Sequence, residues 1–480
     1  MVATNSGSDS SWLTPAAVSQ AASGRVVRSG PTATRVVTDS RLVQPGDLFV
    51  ALRGERLDAH DFVAQALRGG AHGAVVHRDV VLGDVDRARA AATGFLVRVE
   101  DTGRALLDLA REHRRRSSAR VVGITGSCGK TSTKDMLGHV LARAMATVAS
   151  PKSFNNQIGV PLTLLAIRKE TRAAVVEIGT NAPGEIRTLA GTAEPDVGIL
   201  TCVREAHLAG LGDLEGIARE KANIFESLRA DGLAILNGDD RACLRIAERL
   251  GVRTVLVRVD SVADWFATDI GFCGLGTTFR LNGERPVALP RLGTHNVYNA
   301  LSCIAASSEL GVTPALAIEA LASLPHSSRR LEPREVAGVR IVDDSYNMNP
   351  ASARAALHTL QCFDRADRRI LVFGEMKELG ARSVELHEAL GRDVAAAGLD
   401  LLVTVGPGAD PIAEGARTAG MSDARVARVA DVEAGIEYLR QIVAPGDVVL
   451  CKASRAVALD RLVDGLAREL GGSVAARSGG

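Results

Sequence analysis

In VVGITGSCGKTSTKDML, residues 121–137, an apolar run meets a glycine-rich turn and then a helical pattern that opens near Lys130. Such a turn aims backbone N–H groups and the positive end of a helix at an anion. Gly126 and Gly129 let phosphate oxygens approach the backbone, Lys130 supplies a point charge, and Thr131 offers a hydroxyl to Mg²⁺. The loop is one glycine short of the pattern G-x-x-x-x-G-K-[ST], because Ile124 stands at the first position.

Other residues carry chemistry that their surroundings do not explain. Glu177 ends the apolar run AAVVEIG, where a carboxylate is costly unless paired or bound to a cation. His207 follows the next such run, DVGILT, so the two could meet at one edge of a parallel sheet, as metal ligands or as satisfied polar residues. Lys221 lies on the apolar stripe of Leu214, Ile217, Ala218, Ile224, Phe225 and Leu228. Its stem could lie along the core with the head in solvent, or its amine could have a lowered pKa. In THNVYNALSCIAA, residues 294–306, the first turn carries His295, Asn296 and Asn299, as helix caps or as readers of an adenine edge. VDDSYNMNP, residues 342–350, is too polar for a simple turn and should face a ligand.

The elements that must hold these residues read as α/β. Aromatics are only 3% of the chain, so Val, Leu, Ile and Ala fill the core, a composition suited to helix and sheet layers. At 480 residues the chain exceeds one core, and about 150 residues per domain predicts three. Continuous apolar runs at 173–180, 196–201 and 232–240, and a further series after residue 326, read as strands buried on both faces. Boundaries near 118 and 326 divide the chain into 1–117, 118–325 and 326–480. Ligands then gather at the carboxyl ends of the strands.

A net charge of +1 provides no field for nucleic acid. The basic cluster REHRRRSSAR, residues 111–120, reads as a solvated helix end and linker. Seven scattered cysteines without C-x-x-C spacing predict reduced thiols in a cytoplasmic protein. No signal-peptide pattern and no apolar run of membrane length are visible, so neither export nor membrane insertion is expected.

The loop, SFNNQIGVPLTLL (153–165), VVEIGTNAPGEI (175–186), REAHLAGLG (204–212), EKANIFE (220–226), HNVYNAL (295–301), RRLE (329–332) and DDSYNMNP occur in one order. TDSRLVQPGDLFVAL (38–52) precedes them and GEMKELG (374–380) follows. In order and wording the chain resembles the Mur ligase family over nearly its whole length. That family's shorter loop, G-x-x-G-K-[ST], fits residues 126–131. The resemblance implies a small N-terminal UDP-substrate-binding α/β domain, a central P-loop ATPase-type domain with a mostly parallel sheet, and a C-terminal Rossmann-like ligase domain.

Within the family, SFNNQIGVPLTLL, DDSYNMNP and GEMKELG are most similar to the branch that joins D-alanyl-D-alanine to UDP-N-acetylmuramoyl-tripeptide through an acyl phosphate, using ATP. Another Mur-type or folylpolyglutamate-type amide ligase, or an ATP-binding protein without turnover, is the alternative. The resemblance places ATP phosphates on Gly126, Ser127, Cys128, Gly129, Lys130, Thr131 and Ser132, and adenine on Asn296 and Asn299. Arg330 and Asp344 would reach the ribose and phosphates. Two Mg²⁺ ions would be held by Thr131, Glu177, His207 and a Lys221 carboxylated by CO₂. Asp39, Ser40 and Arg41 match the uridine-side motif, and Asn155, Asn156, Tyr346, Asn347, Asn349 and Arg455 fall on the substrate side. A monomer is expected. The chain departs from the family at residues 452–456, where KGSRG reads KASRA, and at Met348, where a small residue is common.

Overall fold

The computed structural model describes residues 12–80, 94–205, 208–273, 276–325, 329–363 and 366–477. Three sheets follow one another along the chain. The first has five strands in the order Arg25–Arg28, Phe95–Arg98, Gly73–Val76, Asp47–Val50, Arg35–Val37, parallel except for the first. The third has six, in the order Glu332–Val336, Val339–Asp343, Val448–Lys452, Arg369–Gly374, Leu401–Val405, Val426–Val429, again with only the first antiparallel.

The central sheet has nine strands: Arg285–Leu289, Gly276–Leu281, Trp265–Cys273, Arg253–Val259, Leu233–Asn237, Val197–Leu200, Arg120–Thr125, Ala173–Glu177 and Thr147–Ala149. The first two pairings are antiparallel and the other six parallel, so Gly276–Leu281 alone runs against the rest. Its middle strands are apolar on both faces because both are covered. Val122 and Ile124 pack on Leu137, Val140, Leu301 and Ile304 of helices Lys130–Ala142 and Thr294–Glu309. Val121 and Val176 pack on Ile186, Leu189, Ile217 and Ile224 of helices Glu185–Ala193 and Leu214–Glu226. The second of these clusters runs on into Val342, Met348 and Leu357, so the C-terminal sheet and its helices seat on the centre.

Strands 253–289 extend the central sheet without having been visible as continuous apolar runs. Gly276–Leu281 alternates buried and exposed residues, the mark of an antiparallel edge with one wet face.

The basic cluster corrects the sequence reading in part: it does end a helix, with Arg115 and Arg116 exposed, but Arg114 is not solvated. Helix Thr102–Arg116 ends against the last carbonyls of helix Glu185–Ala193, which carry partial negative charge. Arg114 is fully buried there. It donates to the carbonyls of Ala193 (3.0 Å), Ala119 (3.0 Å) and Glu194 (3.1 Å), and pairs with Asp196 at 2.8 Å. Arg111 and Arg115 both reach Glu194, at 3.0 and 2.6 Å. Removing one partner of such a pair strands the other, so Arg114→Ala should cost about 3–5 kcal/mol, read as a lowered midpoint in denaturant unfolding.

No helix among the described residues is long and apolar enough to cross a membrane. No disulfide links Cys128, Cys202, Cys243, Cys303, Cys362 or Cys451.

Candidate active site

Strand Arg120–Thr125 delivers the chain into the loop, and two glycines shape it. Gly126 has φ +150° and Gly129, which precedes helix Lys130–Ala142, has φ +84°. A Cβ on Gly126 would strike the Thr201 hydroxyl, and one on Gly129 would lie 2.5 Å from Asn299 Oδ1. Both positions therefore exclude side chains for backbone and packing reasons. Lys130 Nζ folds back to donate to the Gly126 carbonyl at 2.6 Å. Ser127 ties the loop to its neighbour, donating to the Arg204 carbonyl at 2.8 Å and accepting from the Arg204 amide at 2.9 Å.

The loop opens on a cavity of about 510 Å³ whose walls come from the central domain, from Arg330 and Leu331 and from the C-terminal domain. That is the size of a small-molecule site. Ser127 to Ser132, Asn155, Glu177, Asn296, Asn299, Arg330, Asp344, Tyr346, Asn347 and Asn349 all border it. Glu177 is 1% exposed; its Oε1 accepts from Asn155 Nδ2 at 2.8 Å, and its Oε2 has no hydrogen-bond partner. An orphaned buried carboxylate oxygen suits a cation. Among the described residues no three His, Cys, Asp or Glu side chains cluster as a metal site, so any cation there needs hydroxyl, amine-derived or ligand oxygens. His207 lies outside the described residues. The strands that precede Glu177 and His207 are not neighbours, since Arg120–Thr125 lies between them; both flank the phosphate loop.

Lys221 does not snorkel. It is 1% exposed in helix Leu214–Glu226, and desolvation, with the Lys130 charge second, lowers its amine to about 7. The preceding Glu220 accepts from the amides of Gly184 and Ile186, both at 2.8 Å, which pins this helix to the start of helix Glu185–Ala193.

Asn296 and Asn299 do not cap their helix. Gly293 precedes it without a side-chain cap, and the two amides form a buried chain instead. Thr133 donates to Asn299 Oδ1 (3.1 Å), Asn299 to Asn296 Oδ1 (3.0 Å), and Asn296 to the Leu292 carbonyl (2.8 Å). The partly buried His295 also borders the cavity, and desolvation pushes it down to about 4. The unfolded chain takes up this proton near pH 6.5 and the folded one does not until about 4, so stability falls as pH drops through that window. The loss is about 2–3 kcal/mol. Thermal melts from pH 7 to 4 should show this increment, and His295→Gln should remove it.

In DDSYNMNP the two carboxylates separate. Asp343 is fully buried and accepts from the Ser345 amide (3.0 Å) and hydroxyl (2.5 Å), a structural role. Asp344 faces the cavity, where it pairs with Lys452 at 2.7 Å. Lys452 also donates to the Asn347 carbonyl at 2.9 Å. Asn349 caps helix Pro350–Gln361 and touches the loop, with Cys128 Sγ 3.4 Å from its amide. Arg330 donates to Thr131 Oγ1 at 3.1 Å and stacks 4.0 Å from the Tyr346 ring, while the Tyr346 hydroxyl donates to Ser153 at 2.8 Å. Arg330, the loop and the C-terminal domain thus meet around Ser153.

Some expected residues stand apart from the cavity. Asp39 caps the short helix Ser40–Leu42 and pairs with the exposed Arg41 at 2.6 Å; neither these nor Ser40 line it. Asn156 Oδ1 accepts from the amides of Ile158 (3.1 Å) and Gly159 (2.9 Å) as a turn cap. Arg455 reaches the site only through Tyr346, 5.4 Å from its ring. Ser153 and Lys452 were not among the expected site residues. Their only signal was membership of SFNNQ and KASRA.

The geometry accords with three sequence matches. The Mur ligase family, catalytic domain, pattern matches residues 32–114, the Mur ligase middle domain residues 124–307, and the Mur ligase, glutamate ligase domain, residues 329–455. The chain is 37% identical to the UDP-N-acetylmuramoyl-tripeptide--D-alanyl-D-alanine ligase of Escherichia coli, covering 91% of this chain and 94% of that protein. To the Bacillus subtilis protein of the same name it is 34% identical, over 90% and 92%. The chain belongs to the Mur ligase family. As a Mur ligase it matches MurF from Acinetobacter baumannii with a TM-score of 0.85 at 32% identity, over 95% of this chain and 98% of that one. The MurF ligase of Thermotoga maritima, solved in complex with ADP, matches with 0.79 at 31% identity, over 91% and 97%. The folylpolyglutamate synthase of Mycobacterium tuberculosis, at 19% identity and a TM-score of 0.57, shares the fold of this Mur ligase.

Proposed function

We propose that this Mur ligase joins D-alanyl-D-alanine to UDP-N-acetylmuramoyl-tripeptide with cleavage of ATP, giving the pentapeptide precursor of peptidoglycan. The observation that carries the reading is one cavity bordered at once by the phosphate loop, Arg330 and the C-terminal pair Asp344 and Lys452. Residues 1–117 would bind the UDP substrate, 118–325 ATP, and 326–480 the incoming amine, in a cytoplasmic monomer.

A carboxylate is a poor electrophile, so the peptide carboxylate takes the γ-phosphoryl group of ATP to become an acyl phosphate. The free amine of D-alanyl-D-alanine then attacks the acyl carbon and phosphate leaves. Lys130 exchanges the Gly126 carbonyl for the ATP phosphates, and the N–H groups of residues 126–132 surround them. Asn296 and Asn299 read adenine, and Arg330 and Asp344 meet ribose and phosphate. Asp39, Ser40 and Arg41 hold the uridine end, and Asn155, Asn156, Tyr346, Asn347, Asn349 and Arg455 the peptide side. Thr131, Glu177, His207 and Lys221 would hold two Mg²⁺ ions, which supply the positive charge that lets anionic phosphate and carboxylate approach. The buried amine of Lys221, neutral for a substantial fraction at neutral pH, reacts with CO₂ to give a carbamate and a proton. Closure of the C-terminal domain excludes water from the acyl phosphate.

The test is phosphate release from Mg-ATP with UDP-N-acetylmuramoyl-tripeptide, with and without D-alanyl-D-alanine, with product mass read in parallel. Release that needs both co-substrates and yields the pentapeptide nucleotide is expected. Release only with another amine would overturn the substrate assignment, and bound ATP without release would overturn the activity.

A further inference from the structure

The phosphate loop contains a cysteine, and the neighbouring strand end supplies a second that the mechanism does not use. Beyond strands Arg120–Thr125 and Val197–Leu200 the two segments stay paired: Thr201 N donates to the Thr125 carbonyl at 3.0 Å and Ser127 N to the Cys202 carbonyl at 2.9 Å. The Thr201 hydroxyl bonds the Cys128 carbonyl, and Cys202 Sγ lies 3.7 Å from that same oxygen. The two thiols also hydrogen-bond each other, and a disulfide needs only side chains that already face one another. Both residues are half-buried and both border the cavity. We propose that Cys128 and Cys202 form an oxidation site, closed to a disulfide by a peroxide, that switches nucleotide binding off.

The surroundings favour Cys128 as the attacking sulfur. It sits just before the positive end of helix Lys130–Ala142, and the Asn349 amide lies 3.4 Å from its sulfur. Its thiol is held below the ordinary range, with hydrogen bonding from the Cys202 thiol as the largest cause, and Cys202 is correspondingly raised. The Cys128 sulfur attacks the O–O bond of hydrogen peroxide, giving a sulfenic acid and one water. Cys202 sulfur then attacks the sulfenic sulfur and a second water leaves. Two electrons pass to the peroxide, and both thiol protons end in water. The new S–S bond draws Cys128 away from Asn349, which connects the loop to the C-terminal domain, and ties the turn between Gly126 and Gly129 to the neighbouring strand end. Cytosolic disulfides are usually transient and regulatory, and a small-molecule thiol reverses this one.

The effect on nucleotide rests on the ATP-site reading; the disulfide does not. The full chain is treated with hydrogen peroxide, its remaining thiols are alkylated, and its peptides are mapped by mass. A linked Cys128–Cys202 peptide, two hydrogens lighter than the reduced pair, is expected, formed more slowly when Mg-ATP is present. Calorimetry on the oxidised chain should show ATP affinity at least about tenfold weaker, the loss of one charge-assisted hydrogen bond or more, restored by dithiothreitol. In Cys202→Ser the share of binding recovered by reductant, relative to that variant's own reduced state, should fall. No linked peptide, or a linked peptide with unchanged ATP affinity, overturns the switch. If the reduced chain itself fails to bind ATP, the ATP-site reading falls and the linked peptide alone decides the oxidation site.

Discussion

Lys221→Ala is expected to lower kcat by about 10³-fold, as the loss of a preorganised group at a developing charge does, while the thermal midpoint changes little. The position explains both halves of that expectation. Ile217, Ile224 and Phe225 anchor the helix in the core and alanine is a better helix former than lysine, so the segment holds without the amine. Burying the ammonium was itself unfavourable, which is why desolvation leads the causes that bring it to about 7. What would be lost is the proposed carbamate and its two oxygens. Short carboxylic acids added to Lys221→Ala should therefore restore part of the turnover, and Lys221→Arg should stay inactive, because a guanidinium does not form a carbamate. Full activity in Lys221→Ala would end the assignment, and failure of every acid to rescue it would favour a role for the amine alone.

Lys130→Ala should reduce kcat/KM by about 10²–10³-fold, with the fold intact. In this structure Lys130 Nζ bonds the Gly126 carbonyl within the loop, so its removal costs the loop one internal hydrogen bond and leaves the helices and sheet around it untouched. Lys130→Arg should rescue poorly, because a planar fork cannot take the place of a compact ammonium between the turn and a phosphate. Steady-state rates with varied ATP check this: a loss confined to KM would show uniform binding, and a loss in both parameters shows contact made in the transition state. Wild-type kinetics in either variant would remove Lys130 from the phosphate site.

The strand runs that end in Glu177, Leu200, Asn237 and Asp343 were legible because strands buried on both faces must be apolar throughout. The loop was legible because Gly126 and Gly129 are demanded locally by left-handed backbone and close contact. Charge was the poorer guide. The arginines at 111, 114 and 115 looked like a wet helix end, and their partners Glu194 and Asp196 are about eighty residues away in sequence. Asn296 and Asn299 looked like caps, and their partner Thr133 lies on another helix. Asp343 and Asp344 were indistinguishable until the pleat turned one into the core and the other toward Lys452.

The sequence by itself therefore determined the α/β layers, the phosphate loop and the place of Lys221 on an apolar stripe, because hydrophobic period and glycine geometry act within a few residues. Tertiary structure alone decided which polar groups share the cavity. It joined Thr131 to Arg330, Asn155 to Glu177 and Cys128 to Cys202, since hydrogen bonds act over about 3 Å in space, and which residues come that close is settled only when the domains pack.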